Sequence, residues 1–326
     1  MKTRVLGKSG FRVSEIGLGC WQLGGDFGPV EGDRAKAILH AASESDITFW
    51  DTADVYGDGL SERRIARYVD ESGSRPFIAT KVGRHPRLYP NGYTKEDVRR
   101  NIEGSARRLG VEALDLVQLH CVPPEVLKAG DIIAWMEDFQ DQGLIRSFGA
   151  SVETIEEAIL AAQSPRMVSL QIIFNIFRQD AIDRLFPMAE ATDVGIIVRL
   201  PLASGVLSGK MTRDRKFAET DHRHYNRHGE AFSVGETFSG IPFETAIDRV
   251  EELKPLVPEG MTMAQMAMRW ILDYPAVTTV IAGASRPEQV LDNASVSDLA
   301  PLSESLHRKL ADFYSREVKP AIQVPV

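Results

Sequence analysis

Asp51, Tyr56, Lys81 and His120 are the residues of this chain best suited to chemistry, and each closes or closely follows a short apolar run. Asp51 ends FWD, Tyr56 comes five residues later, Lys81 ends FIATK and His120 ends LDLVQLH. A phenol flanked by an ammonium, a carboxylate and an imidazole can pass a proton to a carbonyl oxygen as hydride arrives at its carbon. Taken singly, each residue has a plainer role. An Asp after a strand caps the next turn, a Lys at a strand end is a solvated tip, and a lone His is hydrogen-bonded scaffolding. Four ionisable groups of complementary type at one mouth are instead the arrangement of a site with perturbed protonation.

Positioning such groups takes a scaffold that ends many strands at one face. Short apolar runs alternate with amphipathic segments along almost the whole chain, which predicts strands feeding helices in a parallel α/β architecture. Strands are expected at Glu15 to Cys20, Thr48 to Asp51, Phe77 to Lys81, Leu114 to His120, Ser147 to Ser151, Ser169 to Asn175, Gly195 to Leu200 and Thr278 to Ala282. Helices are expected near residues 32–45, 59–70, 94–109, 131–142, 153–162, 181–193, 262–274 and 286–294. Thr94, followed by Glu96 and Asp97, reads as an N-cap with favourable charge in the first turn, and Gly110 as the stop after Leu109. Eight strand and helix pairs in 326 residues point to a (β/α)8 TIM barrel forming one domain over 1–326. That fold needs about 250 residues and leaves the remainder for additions. A doubly wound sheet is the rival, but its first strand would lead into a GxGxxG turn, whereas GLGCWQLGG here opens an aromatic and a long loop. The additions are an N-terminal β-hairpin turning at Gly7 to Gly10, an extra C-terminal helix from about Ser303 to Arg316, and a long loop near 211–242. This polar, Arg- and His-rich loop is either a lid over the site or a mobile segment. Its His222, His224 and His228 are read as solvated, not as metal ligands, because no Cys or paired acid of fixed geometry accompanies them. In a barrel the carboxyl ends of the strands share one mouth. Asp51, Lys81 and His120 therefore converge there although 30 and 39 residues separate them, and Tyr56 arrives from its loop.

With 43% hydrophobic and 26% charged residues, the chain has a globular composition. The balance of 38 Lys and Arg against 46 Asp and Glu, a net charge of -8, argues against nucleic acid or an anionic membrane as the main partner. The segment MKTRVLGKSGFRV has no apolar stretch of the kind a secretory signal carries, and no window approaches the ~18 apolar residues of a membrane span, so a cytoplasmic protein is expected. Cys20 and Cys121 make neither a disulfide framework nor a zinc motif. They are small buried thiols or, since Cys121 follows His120 and Cys20 ends an apolar run, thiols near the site mouth that alkylating agents would reach.

The stretch WDTADVYGDGLSE, followed by ATKVG, LVQLH, QIIFN and IAGASRPEQVLDN in this order, resembles the aldo-keto reductase superfamily, from Val5 to about Leu302. The resemblance implies a metal-free barrel oxidoreductase using NADP(H) on a small-molecule carbonyl or sugar. It maps the proton donor to Tyr56, its paired base to Lys81, the supporting acid to Asp51 and the substrate-orienting imidazole to His120. An adjacent ammonium would lower the phenol from its usual value of about 10. By the same resemblance Ser151 and Gln171 hold the carboxamide, and Asn175 supports the ring pocket. In RLPLASGVLSGK, the residues Leu202, Ser204, Gly205 and Lys210 cover the pyrophosphate; an ordinary strand with a Gly-rich turn is the plainer alternative. Gly283, Ser285 and Arg286 precede a helix whose N-terminus suits the adenosine 2'-phosphate, with Gln289 and Asn293 toward the adenine. This favours NADP(H) over NAD(H). Trp21 suits either an apolar wall for the substrate or the core.

Two departures from the family pattern matter. Ser151 is followed by Val152 where many relatives have Asn, and Arg199 precedes Leu200 and Pro201 where many have a Tyr stacking on the nicotinamide. A guanidinium can stack on a ring, but it is unfavourable beside the cationic oxidised form. The leading expectation is an NADPH-dependent reductase of aldehydes or ketones. The alternatives are a sugar or polyol (aldose 1-) dehydrogenase working in the oxidising direction and a regulatory protein that uses the cofactor site as a redox sensor. A metal-dependent barrel hydrolase is disfavoured because Lys81 between Asp51 and His120 would repel the cation.

Overall fold

A computed structural model describes residues 1–325. An antiparallel hairpin, β1 (Thr3–Val5) and β2 (Arg12–Ser14), is followed by β3 (Ile16–Gly19), β4 (Phe49–Asp51), β5 (Phe77–Val82), β6 (Leu114–His120), β7 (Ile145–Ser151), β8 (Ser169–Ile173), β9 (Gly195–Arg199) and β10 (Val277–Gly283). The last eight pair in parallel, and β10 returns to β3 to close the barrel. Each falls on one of the expected strands. Their residues are almost all buried, as a parallel sheet covered on both faces requires.

Eight helices correspond to those expected: α1 (Gly32–Glu44), α2 (Leu60–Ser72), α3 (Lys95–Leu109), α5 (Asp131–Asp141), α6 (Ile155–Ala161), α7 (Ala181–Thr192), α10 (Met263–Leu272) and α11 (Pro287–Ser295). Their ends follow local chemistry. Thr94 accepts from Asp97 N at 3.1 Å and Gly110 closes α3 at φ 71°, while Thr154 and Thr262 each form a capping box. Among the described residues α4 (Pro124–Ala129), α8 (His222–Tyr225) and α9 (Phe243–Leu253) are additional. The signal for α9 lies in Phe243, Ala246, Ile247, Val250 and Leu253, a buried stripe at helical spacing that begins where the long loop near 211–242 ends. The terminal helix α12 (Glu304–Phe313) runs on through a π turn to Val318.

Leu6, Val13, Phe49, Ala79, Leu116, Val168, Ile197 and Ile281 fill the barrel interior, while a larger cluster with Trp50, Phe148, Phe174 and Trp270 packs between strands and helices. The hairpin plugs the amino end. Gly7 sits at φ 46°, where a Cβ would stand 2.4 Å from Val168 O, so the plug requires glycine. Arg4 tightens it by donating to Leu272 O at 2.7 Å and Val277 O at 2.6 Å. No described helix is long and apolar enough to cross a membrane.

Candidate active site

Strand register builds a belt of polar groups above the apolar filling. Gly19 pairs with Asp51, Lys81 with Gln118, His120 with Ser151, and Ser151 with Gln171. Side chains alternate along a strand, so the residues two positions earlier, Phe49, Ala79 and Leu116, form the layer beneath. At the centre, Asp51 Oδ2 accepts from Lys81 Nζ at 2.5 Å, and Oδ1 accepts from Gln118 Nε2 at 3.0 Å and Gln171 Nε2 at 2.8 Å. Lys81 Nζ also donates to Thr52 O at 2.8 Å and to the Tyr56 hydroxyl at 3.2 Å, which gives all its protons acceptors.

Tyr56 is held by close loop packing. Gly57 adopts φ 59°, and a Cβ there would lie 2.4 Å from Gly24 O. This approach lets Trp21 stack on Tyr56 with centroids 5.8 Å apart at 20°, while His120 meets the same ring edge-on at 5.9 Å.

Burial decides the protonation states. Lys81 is 1% exposed; burial alone would lower its pKa, but Asp51 and then Tyr56 reverse this and keep it raised. Tyr56 moves in the unexpected direction. Burial of its phenol outweighs the pull of Lys81 and pushes it up to about 12, with Asp51 opposing the ammonium's field. The expectation of an acidified tyrosine is therefore corrected: the cation is in place, but desolvation is the larger effect. His120 lies well below the usual histidine value through burial, reinforced by Arg84, Lys81 and Arg199, so the ring is neutral. Its Nδ1 is buried with no partner among the described residues, and the ring lines the cavity.

A cavity of about 710 Å³ opens over the belt. Asp51, Tyr56, His120, Ser151, Gln171 and Arg199 line it, with Trp21 in its wall; Lys81 lies beneath. Toward α10 and α11 it is lined by Leu202, Ser204, Gly205, Lys210, Gly283, Ser285, Arg286, Gln289 and Asn293. Asn175 is not on this wall. Fully buried, it donates to Leu200 O at 2.8 Å and Ser239 Oγ at 2.9 Å and accepts from Phe177 N, so it braces the end of β9 instead of facing the cavity. A second compartment of about 240 Å³ shares Trp21, Tyr56, His120 and Glu236 with the first and adds Asp26, Arg84, Tyr89, Tyr225 and Phe232. Cys121 lies buried on the larger cavity's wall. Cys20 is buried off it, its thiol donating to Leu18 O and its backbone N to Asp51 O, so only Cys121 of the two lines the cavity.

Gln118, Arg84, Arg215 and Glu236 are among the wall or support residues that were not anticipated. Gln118 carried a signal, because strict alternation in LDLVQLH places it on the same face as His120. Arg84 and Glu236 carried none, since they lie in a loop after β5 and in the long loop, where no period applies.

That long loop covers the mouth as a lid. His222 N donates to Asp26 O at 2.9 Å, Ser204 Oγ donates to Glu236 O at 3.1 Å, and Arg223 pairs with Asp221 at 2.6 Å. His222 is not solvated, contrary to expectation. It is 0% exposed, its ring 4.8 Å from Trp21 and 4.3 Å from Phe27, and both nitrogens lack hydrogen-bond partners among the described residues. Burial, partly opposed by Asp221, lowers its pKa to about 4. A base whose folded pKa lies below its unfolded value of about 6.5 takes up protons preferentially when unfolded. Lid stability is therefore full above pH ~6.5 and falls as pH drops toward ~4, by up to about 3 kcal/mol. Limited proteolysis between residues 211 and 242 is expected to accelerate over that range in the parent chain. In His222→Phe the pH dependence is expected to vanish, and its persistence would show that another group controls the lid.

The family model of the aldo/keto reductase family matches residues 15–314. This chain belongs to that family. Aldo/keto reductases are NAD(P)-dependent carbonyl oxidoreductases that act on small-molecule carbonyls or sugars. Among related aldo/keto reductase structures, the glycerol dehydrogenase AKR11B4 from Gluconobacter oxydans superposes with a TM-score of 0.78 at 26% identity, covering 99% of this chain and 98% of that one. An aldo/keto reductase from Klebsiella pneumoniae, solved in complex with NADP and acetate, has the same fold, with a TM-score of 0.69 at 22% identity over 100% and 98% of the two chains. The probable voltage-gated potassium channel subunit beta of Oryza sativa subsp. japonica is 28% identical over 320 residues, 93% of each chain.

Proposed function

We propose that this aldo/keto reductase uses NADPH to reduce an aldehyde or ketone, with Tyr56 as proton donor. The observation that carries the reading is the buried Lys81 ammonium bridging Asp51 and the Tyr56 hydroxyl, with neutral His120 beside them where two compartments meet. A reduced nicotinamide, when bound in the larger cavity, would supply the hydride. As negative charge develops on the carbonyl oxygen, Tyr56 gives up its proton and the ammonium 3.2 Å away stabilises the phenolate left behind. His120 donates a second hydrogen bond to that oxygen. Asp51 keeps Lys81 charged and fixed.

The residues present fit NADP(H). Lys210, Arg215 and Arg286 put three cations on the wall toward α11 against Asp292, a donor set suited to phosphates. The turn after β9 holds Leu200, Ala203 and Ser204 at positive φ, strain of the kind found where a backbone clamps a ligand. Ser151 and Gln171 remain the groups for the carboxamide, and Arg286 with Ser285 those for a 2'-phosphate. The Klebsiella pneumoniae protein solved with NADP supports this choice.

Similarity to a glycerol dehydrogenase keeps polyol oxidation as the second reading. It needs Tyr56 as phenolate, and a phenol at about 12 supplies little of that form at neutral pH, so reduction is the direction the site supports. Fluorescence titration with NADPH and NADH, followed by turnover assays on aldehydes, ketones, sugars and polyols in both directions, tests the proposal. Tighter binding of NADPH by about tenfold or more, with reduction faster than oxidation at pH 7, is expected from one ion-paired phosphate. Tight binding without turnover on any carbonyl would instead support a regulatory protein that uses the cofactor site as a redox sensor.

A further inference from the structure

Beside His120, four charged side chains from four separate elements meet in one cluster, buried at Arg199 and Glu236 and half-buried at Arg84 and Glu153. Arg199 ends β9, Arg84 follows β5, Glu153 follows β7, and Glu236 is carried by the lid. Arg84 bridges Glu153 at 2.6 Å and Glu236 at 3.2 Å, and Arg199 reaches Glu236 at 3.5 Å. The side chains of Arg199 and Glu236 are 10% and 9% exposed. Cys121, Glu153 and Glu236 bring possible metal ligands within 4.8 Å of one another, but two guanidiniums already neutralise the carboxylates, so a cation gains nothing there.

The position of Arg199 gives the cluster a different meaning. Its guanidinium donates to Val152 O at 2.9 Å and lies 3.7 Å from Cys121 Sγ, next in sequence to Ser151 and His120. All belong to the inner end of the larger cavity, where hydride must be delivered if Tyr56 is the proton donor. A permanent cation at that end penalises the oxidised nicotinamide, whose ring is positive, more than the reduced one, whose ring is neutral. Glu236 cancels that cation, and it does so only while the lid is closed.

We propose that Glu236 sets the balance between oxidised and reduced cofactor by neutralising Arg199 at the nicotinamide end, so that binding of the oxidised form is coupled to lid closure. The inference rests on the reading of the larger cavity as the NADP(H) site. Burial alone would raise the Glu236 carboxyl, but Arg199 and Arg84 hold it below the ordinary range, in keeping with an ionised partner. The cluster of two cations and two anions is neutral as built. Glu236→Gln leaves it with one excess positive charge, and Arg199→Met with one excess negative charge.

Fluorescence titrations of the parent chain, Glu236→Gln, Arg199→Met and the double variant with NADPH and NADP+ test the proposal. The ratio of the NADP+ Kd to the NADPH Kd is expected to rise about tenfold in Glu236→Gln and fall about tenfold in Arg199→Met, as one unit charge at close range requires in a partly buried site. The double variant, neutral again, is expected to return within about twofold of the parent. Binding of 2'-phospho-ADP-ribose, which has no nicotinamide, should change by less than about twofold throughout. Ratios that stay fixed while both ligands bind, or that move in the same direction in both single variants, would overturn the charge argument. If the parent chain bound neither ligand, the cofactor reading itself would fall, and the inference with it.

Discussion

Replacing Tyr56 with Phe is expected to lower kcat for carbonyl reduction by about 10²–10⁴-fold while leaving the Kd for NADPH within about twofold of the parent value. The ring still stacks on Trp21 and meets His120 edge-on after the change, and only the hydroxyl, held 3.2 Å from Lys81, is removed. The protonation state adds a second readout. With its pKa pushed up to about 12 by burial, against the pull of Lys81, Tyr56 is protonated across the neutral range. Reduction, which uses the protonated form, is therefore expected to be flat from pH 6 to 9 with respect to this group. Alcohol oxidation, which uses the phenolate, is expected to climb about tenfold per pH unit over the same range. Steady-state rates in both directions, with cofactor binding measured separately, check this. Equal loss of binding and turnover in Tyr56→Phe would reassign the residue to structure, and an oxidation rate that levels off near pH 7 would mean that the ammonium's field exceeds desolvation.

Most of the scaffold and the centre of the site can be read from the sequence because both depend on short periods. Alternation within a strand and 3.6-residue spacing within a helix locate the eight strand and helix pairs, and strand ends locate Asp51, Lys81 and His120 on one rim. Asn175 shows the limit of that logic. It lies two residues past the end of β8, yet Nδ2 turns to Leu200 O and Ser239 Oγ, because the barrel end needs a donor where the lid meets β9. The lid was harder to read for the same physical reason. Its contacts, such as Glu236 with Arg84 and Arg199, join residues more than thirty positions apart and have no local signature. Likewise, nothing around His222 in DHRHYNRHG shows that Trp21 and Phe27 enclose its ring. The sign of the Tyr56 shift also lay beyond the sequence. Residue types predict which charges are present, whereas burial depends on how the loops at Gly24 and Gly57 close over the ring.

Lys81→Met is expected to abolish most turnover and also to destabilise the fold by about 3–5 kcal/mol, because it leaves the Asp51 carboxylate buried without its cation. Asp51 is 2% exposed, and its remaining donors, Gln118 and Gln171, are neutral amides that cannot replace a charge. The double variant Lys81→Met/Asp51→Asn separates the two effects. With both charges gone, the amide can still accept from Gln118 and Gln171, so most of the lost stability is expected to return while turnover stays low. Urea unfolding midpoints measure the first part and steady-state reduction rates the second. A third readout distinguishes a field effect on Tyr56 from mere packing. Lys81 lowers the phenol against burial, so removing it is expected to move the alkaline rise of alcohol oxidation to still higher pH in both variants. If the double variant recovered both stability and rate, the Lys81 ammonium would be a structural counter-ion for Asp51 and nothing more. If neither recovered, the pair would be indispensable to the packing of the belt, and Tyr56 would lose its claim to a tuned partner.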